Sequence, residues 1–526
     1  MGRAGYILWP GLVSGLTSAC GELDLSASAL MSPHSDTESR ADTADSVEEF
    51  VTEGWQRGEP EVCEAPVPTR WSDRSDLTWD GKYYSAQAWA DTACVALEQR
   101  GSEWFAWASG FSPLTEEGQA RPEIDLHRVN LGTGERSVLA VPHLHQRLFV
   151  DDFDGDGLDD VGAFLDTGVI VWGGTDVAVP LPASQASFAY APFDLQGDGL
   201  TDLLVAGAGE SGQDSPPPPM WLTNQGGRQF GAAVPALDDG IGLTFSGTVL
   251  DWDEDGDPDL YSCNDSGILH GPNRAVLLDD DGLAIGEARG ADVVAGCMST
   301  SFGDVDLDGR LDLYTAEAAL HRLLINYGED GFVDVAAARV ASWYGSEQMG
   351  WSSTIVDGDN DGLPDLFEST GAFARGTNPG WPVWWLRQDA DGGFADEGAA
   401  AGLPQDAAPR GMVLRDVNGD GVVDMLVADI RRAPYLLLSE GCSEGAWVEV
   451  SAPNGSRVTV EADGRTWTAL ATRQDGWCGW GPAVAHIGLG NATVVDRIIV
   501  RAPWQPAAAT YDVPVRTRLR WTPPAP

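Results

Sequence analysis

Lysine is nearly missing from this chain: Lys82 is the only one in 526 residues. Lys and Arg together number 31 against 81 Asp and Glu, a formal charge of −50. So large an acidic excess argues strongly against nucleic acid as a partner, since its phosphates need an excess of Lys and Arg. The same balance argues against an anionic membrane surface. Past the N-terminal segment no run reaches the roughly 18 apolar residues of a membrane-spanning helix. There is no C-x-x-C, so a zinc or dithiol redox site is not expected. G-x-S-x-G, H-E-x-x-H, a phosphate-binding Gly-Lys-Ser/Thr loop and paired dinucleotide glycines are all missing. Carboxylates are too many to single out an acid–base pair. The expectation is a protein that is not an enzyme.

What is plentiful is Gly (64), Pro (32) and Trp (21), with 43% hydrophobic residues. That composition reads as turn-rich and β-rich. Residues 1–20 carry one early Arg, an apolar stretch from Tyr6 to Leu16 and small residues ending at Cys20. This pattern predicts a secretory signal. The run LTSAC is similar to a bacterial lipobox, with Thr17 where Leu is usual and Cys20 as a lipid anchor. Residues 21–75, rich in Ser, Asp, Glu, Thr and Pro, read as a disordered acidic linker. In an exported chain the six further cysteines suggest disulfides, and proximity in sequence suggests 63–94, 263–297 and 442–478.

One nine-residue pattern, Asp-x-Asp-x-Asp-Gly-x-x-Asp, occurs four times, and twice more with Gln or Asn at its third position. The first copy holds Asp152, Asp154, Asp156 and Asp160; the second Asp194, Gln196, Asp198 and Asp202. The third holds Asp251, Asp253, Asp255 and Asp259; the fourth Asp304, Asp306, Asp308 and Asp312. The fifth holds Asp357, Asp359, Asp361 and Asp365; the sixth Asp416, Asn418, Asp420 and Asp424. First positions are 42, 57, 53, 53 and 59 residues apart. Out of phase with them run MWLTNQGGRQF (220–230), HRLLINYGEDGF (321–332), VWWLRQDADGGF (383–394) and PYLLLSEG (434–441). Each is an apolar run ending in a Gly-containing turn. Four short strands per period is one propeller blade. Residues 80–148 read as a further blade without an acidic loop. The expected fold is all-β: a seven-bladed β-propeller over 76–440, then a small β domain over 441–526.

The spacing suits a hard cation. Positions 1, 3 and 5 turn alternate carboxylates toward one point, and Gly at position 6 permits the sharp turn. Position 7 (Leu158, Leu200, Asp257, Arg310, Leu363 and Val422) offers a main-chain carbonyl, and the final Asp further oxygens. Six or seven oxygen ligands favour Ca²⁺ over Mg²⁺, zinc or copper. Up to six ions are expected, held more weakly by the second and sixth loops, where Gln196 and Asn418 replace a carboxylate. An EF-hand needs Glu at position 12, and only Glu368 supplies one.

The tandem loops alternating with hairpins such as LLINYGEDGF resemble FG-GAP/VCBS repeats over roughly 150–440. These build the calcium-bearing β-propeller of integrin α subunits. The tail, from SEGAWVEVSAPNGSRVTVEADG to HIGLGNATVVDRIIVRAP, resembles an ASPIC/UnbV domain, with RAP where Trp-Pro is usual. Independently, AWVEVSA, SRVTVEA and DRIIVRA alternate like half-buried strands. The combination resembles the cartilage acidic protein family, which implies a secreted calcium-binding protein.

The expected function is therefore an exported binding or adhesion module for an unknown extracellular protein or glycan, with structural Ca²⁺. The alternatives are an extracellular hydrolase with its site in the propeller cleft, or a scaffold or assembly factor for an exported complex. Three other features have plainer readings. His143 and His145 lack a third metal ligand, the Trp-rich 378–388 reads as blade core, and the Pro-rich 211–221 as a surface excursion.

Overall fold

The computed structural model describes residues 50–524 apart from 78–82, 85–93, 110–111, 114–123, 142–146, 165–168, 172, 174–177, 181–186, 208–219, 233, 236–242, 266–271, 280–281, 288, 318–320, 340–348, 372–379 and 431. The expected signal and lipid anchor, residues 21–49 of the expected linker, His143, His145 and most of the Pro-rich excursion lie outside the described residues.

Strands Cys297–Gly303, Asp365–Gly371 and Pro409–Arg415 are buried at every residue. Strands without a solvent face lose the alternation of a half-exposed sheet, so repeats and turns mark them better than periodicity does. Each repeat folds as a four-stranded antiparallel sheet in chain order. One consists of Arg147–Asp151, Asp160–Phe164, Val169–Val171 and Ala178–Pro180. Others start at Ser187–Phe193, Leu243–Leu250 and Met349–Val356. A fifth joins Pro409–Arg415, Asp424–Asp429 and Arg432–Ser439 to an N-terminal strand, Trp71–Asp73.

This is a β-propeller arrangement, with five separate four-stranded blades rather than the seven expected from the sequence. Two further four-strand sets, from Val95–Arg100 to Arg136–Val141 and from Cys297–Gly303 to Phe332–Asp334, are fused into one sixteen-stranded sheet. The fusion has a local cause: C-terminal strands pair with both, through Gly479↔Val95, Trp480↔Ala96 and Gly303↔Ala469. The first strands of successive sets lie side by side, from Val95–Arg100 through Arg147–Asp151 to Pro409–Arg415, which again neighbours Val95–Arg100.

The linker expectation is corrected over residues 50–75. Trp55–Arg57 pairs with Thr517–Trp521, and Trp71–Asp73 completes the last blade. Trp71 is buried edge-on against Phe367 and Trp385, and its indole N–H donates to Val423 O at 2.7 Å. A Ser- and Pro-rich stretch can be ordered when a few aromatic anchors find pockets, which composition averages away.

The C-terminal strands enclose their own core of Val448, Val458, Val460, Trp467, Ile498 and Trp521. Ser456–Ala462 alternates buried and half-buried, as expected. One hairpin leaves that core. Its strands are Arg465–Gln474 and Gly479–Gly490, and its tip residues Trp477, Cys478 and Trp480 pack with Trp107, Phe149, Phe245, Met298 and Trp351 of different blades. Asp475 Oδ2 accepts from Leu414 N at 2.8 Å and Arg415 Nη1 at 2.7 Å. A Cβ on Gly479 would lie 1.7 Å from Met412 O, so only glycine fits there. The tip occupies the centre of the blades.

Two of the three expected disulfides are corrected. The bonds are Cys63–Cys442, Cys94–Cys478 and Cys263–Cys297. Proximity in sequence failed because residues 50–75 return to the C-terminal strands and the hairpin reaches the first strand set.

Candidate metal centres

Each acidic loop joins the first strand of a set to its second, so its ends are fixed about one strand spacing apart. Three side-chain bonds recur in all six. The position-1 carboxylate accepts the position-6 N–H, as in Gly157 to Asp152 (2.8 Å), Gly309 to Asp304 (2.9 Å) and Gly362 to Asp357 (2.7 Å). The position-5 carboxylate accepts the position-7 N–H: Leu158, Leu200, Asp257, Arg310, Leu363 and Val422 all donate this bond, at 2.9–3.1 Å. The third bond involves position 9, whose carboxylate accepts the position-2 N–H.

Position 9 departs from the expectation of a plain ligand. Its second oxygen accepts an N–H from the neighbouring strand or turn: Gly173, Asn224, Leu278, Asn326, Gln388 and Ser439 donate to Asp160, Asp202, Asp259, Asp312, Asp365 and Asp424 at 2.5–3.0 Å. All six aspartates are fully buried. They staple the loop to the sheet. Burial raises Asp160, Asp259, Asp312 and Asp424 to about 7 and Asp202 to about 6, against the pull of those N–H donors.

The carboxylates of each loop converge unequally. Oxygens of Asp251, Asp253 and Asp255, of Asp304, Asp306 and Asp308, and of Asp357, Asp359 and Asp361 lie within 4.8 Å of one another. In the first loop the convergent set is Asp152, Asp154 and Asp160, without Asp156. Among the described residues the second and sixth loops gather no such triplet. These are the loops in which Gln196 and Asn418 stand at position 3. In the sixth, Asn418 Nδ2 donates to Asp420 and Ser439, and Arg518 of the C-terminal domain ion-pairs with Asp416.

The four triplets offer sites for a hard divalent cation, which in the first, fourth and fifth loops would have to share carboxylates already paired with Arg228 (Asp154), Arg310 (Asp308) and Arg387 (Asp359 and Asp361). The triplets' donors are all oxygen, and burial raises Asp251 to about 6 and Asp304 to about 7, with neighbouring carboxylates adding to the rise. Asp306 Oδ1 is buried without a hydrogen-bond partner, as an ion-facing oxygen would be. A bound cation would offset the repulsion and tie the loop into one conformation.

Position 4 was not recognised from the sequence. It has positive φ in all six loops: Gly155 (73°), Gly197 (67°), Glu254 (65°), Leu307 (61°), Asn360 (61°) and Gly419 (82°). The signal was present, since half of these are glycine and one is the tolerant Asn.

All six loops touch the C-terminal domain. Arg473 ion-pairs with Asp159 at 2.8 Å and Asp151 at 3.0 Å. Trp504 donates its indole N–H to Asp194 O (2.7 Å) and its main-chain N–H to Gly256 O (2.8 Å). Asp304 N donates to Thr468 O, Trp467 Nε1 to Gly362 O (3.0 Å), and Arg518 meets Asp416. The acidic loops are thus the seat of the second domain, a role that spacing alone does not reveal.

A model of the FG-GAP-like repeat matches residues 194–262 and 357–427, and one described as ASPIC and UnbV matches 451–525. No curated protein sequence matches the chain. Among solved structures, one titled for recognition of non-reducing terminal N-acetylglucosamine by an Agrocybe aegerita lectin is 13% identical, covers 70% of this chain and 93% of its own, and has a TM-score of 0.39. Another, BBS1N in complex with ARL6DN, is 9% identical, covers 71% and 98%, and has a TM-score of 0.40. The repeat matches fall on the loop-bearing blades and the other match on the strands seated over them: the chain carries FG-GAP-like repeats in a β-propeller arrangement and a C-terminal ASPIC/UnbV domain.

Proposed function

We propose that this protein is an exported, calcium-cemented binding module that recognises an extracellular protein or glycan, and that it is not an enzyme. The observation that carries the reading is the seating of the C-terminal domain on all six acidic loops, with its hairpin tip filling the centre of the blades. Ions in four of those loops would stiffen the seat, and recognition would fall to surfaces around it. The filled centre weighs against a hydrolase in the propeller cleft. Three disulfides and the N-terminal signal pattern support export, with Cys20 as the proposed lipid anchor. Among the described residues no helix is long and apolar enough to cross a membrane. The proposed ring has seven blades, the two fused strand sets included; the side-by-side order of first strands supports this count.

The test of the calcium reading is thermal melting with calcium and with EGTA. Binding to the native state alone contributes about 1.4 kcal/mol per site at ten times Kd. Melting temperature should fall in EGTA, and titration should count four ions; an unchanged melting temperature refutes the idea. A glycan and cell-binding array with and without calcium, run beside a hydrolase screen, tests the module. Turnover that survives mutation of the loops would favour the hydrolase.

A further inference from the structure

A cavity of about 430 Å³ lies between the third and fourth acidic loops and the C-terminal domain. Its size falls within the range of small-ligand pockets. Its wall combines Arg289, Arg457 and Arg501 with the threonines Thr459, Thr466 and Thr468. In a chain with 31 cationic and 81 acidic residues, three arginines around one cavity invert the local balance. The acids in the same wall are Asp251, a candidate metal ligand, and Glu254, which pairs with Arg457 at 2.8 Å. Arg289 is already oriented, its guanidinium over the Trp252 ring at 5.6 Å and donating to Trp252 O at 2.9 Å. Arg457 also donates to Gly309 O. A guanidinium carries five donors, and these bonds engage one of Arg289's and two of Arg457's.

We propose that this cavity is a binding site for a carboxylate-bearing sugar residue of the uronic-acid class. The arginines match the planar carboxylate. The threonine hydroxyls, which both donate and accept, match the sugar hydroxyls, Thr459 and Thr468 also bonding each other at 3.3 Å. Blades and C-terminal domain both contribute wall, so the site exists only while the two are docked. The proposal rests on the binding-module reading and names its ligand class.

The test is isothermal titration of the full, calcium-loaded chain with trigalacturonate, with maltotriose as neutral comparator and sodium sulfate as competitor. Trigalacturonate should bind at least about tenfold more tightly than maltotriose, since a charge-assisted hydrogen bond is worth roughly that or more. Arg501→Gln should weaken it by about tenfold or more, and Thr466→Val by a smaller factor, each titrated below its own melting transition so that only folded protein is scored. Both variants spare the Arg457 contacts that seat the domain. Equal affinity for the two sugars, no saturable heat at about 10 mM probe, full competition by millimolar sulfate, or undiminished binding in both folded variants overturns the proposal. A hit on the array that ignores these variants would sink this site and leave the module reading standing.

Discussion

At the residue scale, two groups show how backbone and burial set measurable quantities. Gly155 has φ 73° and open space where a Cβ would stand, so Gly155→Ala tests conformation alone. It should cost about 1 kcal/mol, read as a shift in the urea midpoint at constant slope. Glu317 is buried and bonded to Thr315 and Arg322 of its own strand set. Burial pushes it up to about 7; Arg322 opposes the rise, while Asp334 and Glu368 add to it. A carboxyl raised in the folded state binds more protons folded than unfolded. Its contribution is full below about 4.5 and lost as pH rises through about 7. The stability of the native chain relative to Glu317→Gln should therefore fall by on the order of 3 kcal/mol between pH 4.5 and pH 8. A pH-independent difference in melting temperature would contradict this. Asp and Gly at fixed spacing were legible in the sequence because each loop repeats them. The left-handed fourth position was less so, because Glu254 and Leu307 hide it among glycines.

At the element scale, the acidic loop separates two jobs that its formula merges. Asp259 accepts Trp252 N and Leu278 N, whereas Asp253 lies in a convergent carboxylate triplet. Asp259→Asn would turn an amide donor toward one of those N–H groups. It should destabilise by about 1–3 kcal/mol with calcium or with EGTA. Asp253→Asn should cost little in EGTA, where it relieves repulsion, and abolish that loop's share of the calcium increment. If both variants lose stability only in calcium, position 9 is a ligand and not a staple. Strand and turn assignments at this scale were largely readable. IDLHRVNLGTGERSVLAV does fold as paired strands Ile124–Asn130 and Arg136–Val141. The hairpin tip at Trp477 was not, since a Trp-rich turn looks the same whether it closes its own domain or reaches into another.

At the scale of the whole molecule, the ends of the chain do what the repeats cannot. The last blade takes its fourth strand from Trp71–Asp73, and Trp71→Ala should cost about 3–5 kcal/mol, seen as a lowered urea midpoint. Little change would mean that the blade holds without its borrowed strand. Long-range closure of this kind leaves almost no local trace, which is why residues 50–75 read as a linker and two disulfides were paired with the wrong neighbours. The true pairs, Cys63–Cys442 and Cys94–Cys478, span 379 and 384 residues. A single protease cut anywhere between residues 95 and 441 would therefore leave two fragments still covalently joined. The nicked molecule should run as one band on a non-reducing gel and as two after reduction. A cut in a loop between those pairs would not shed a piece of the protein.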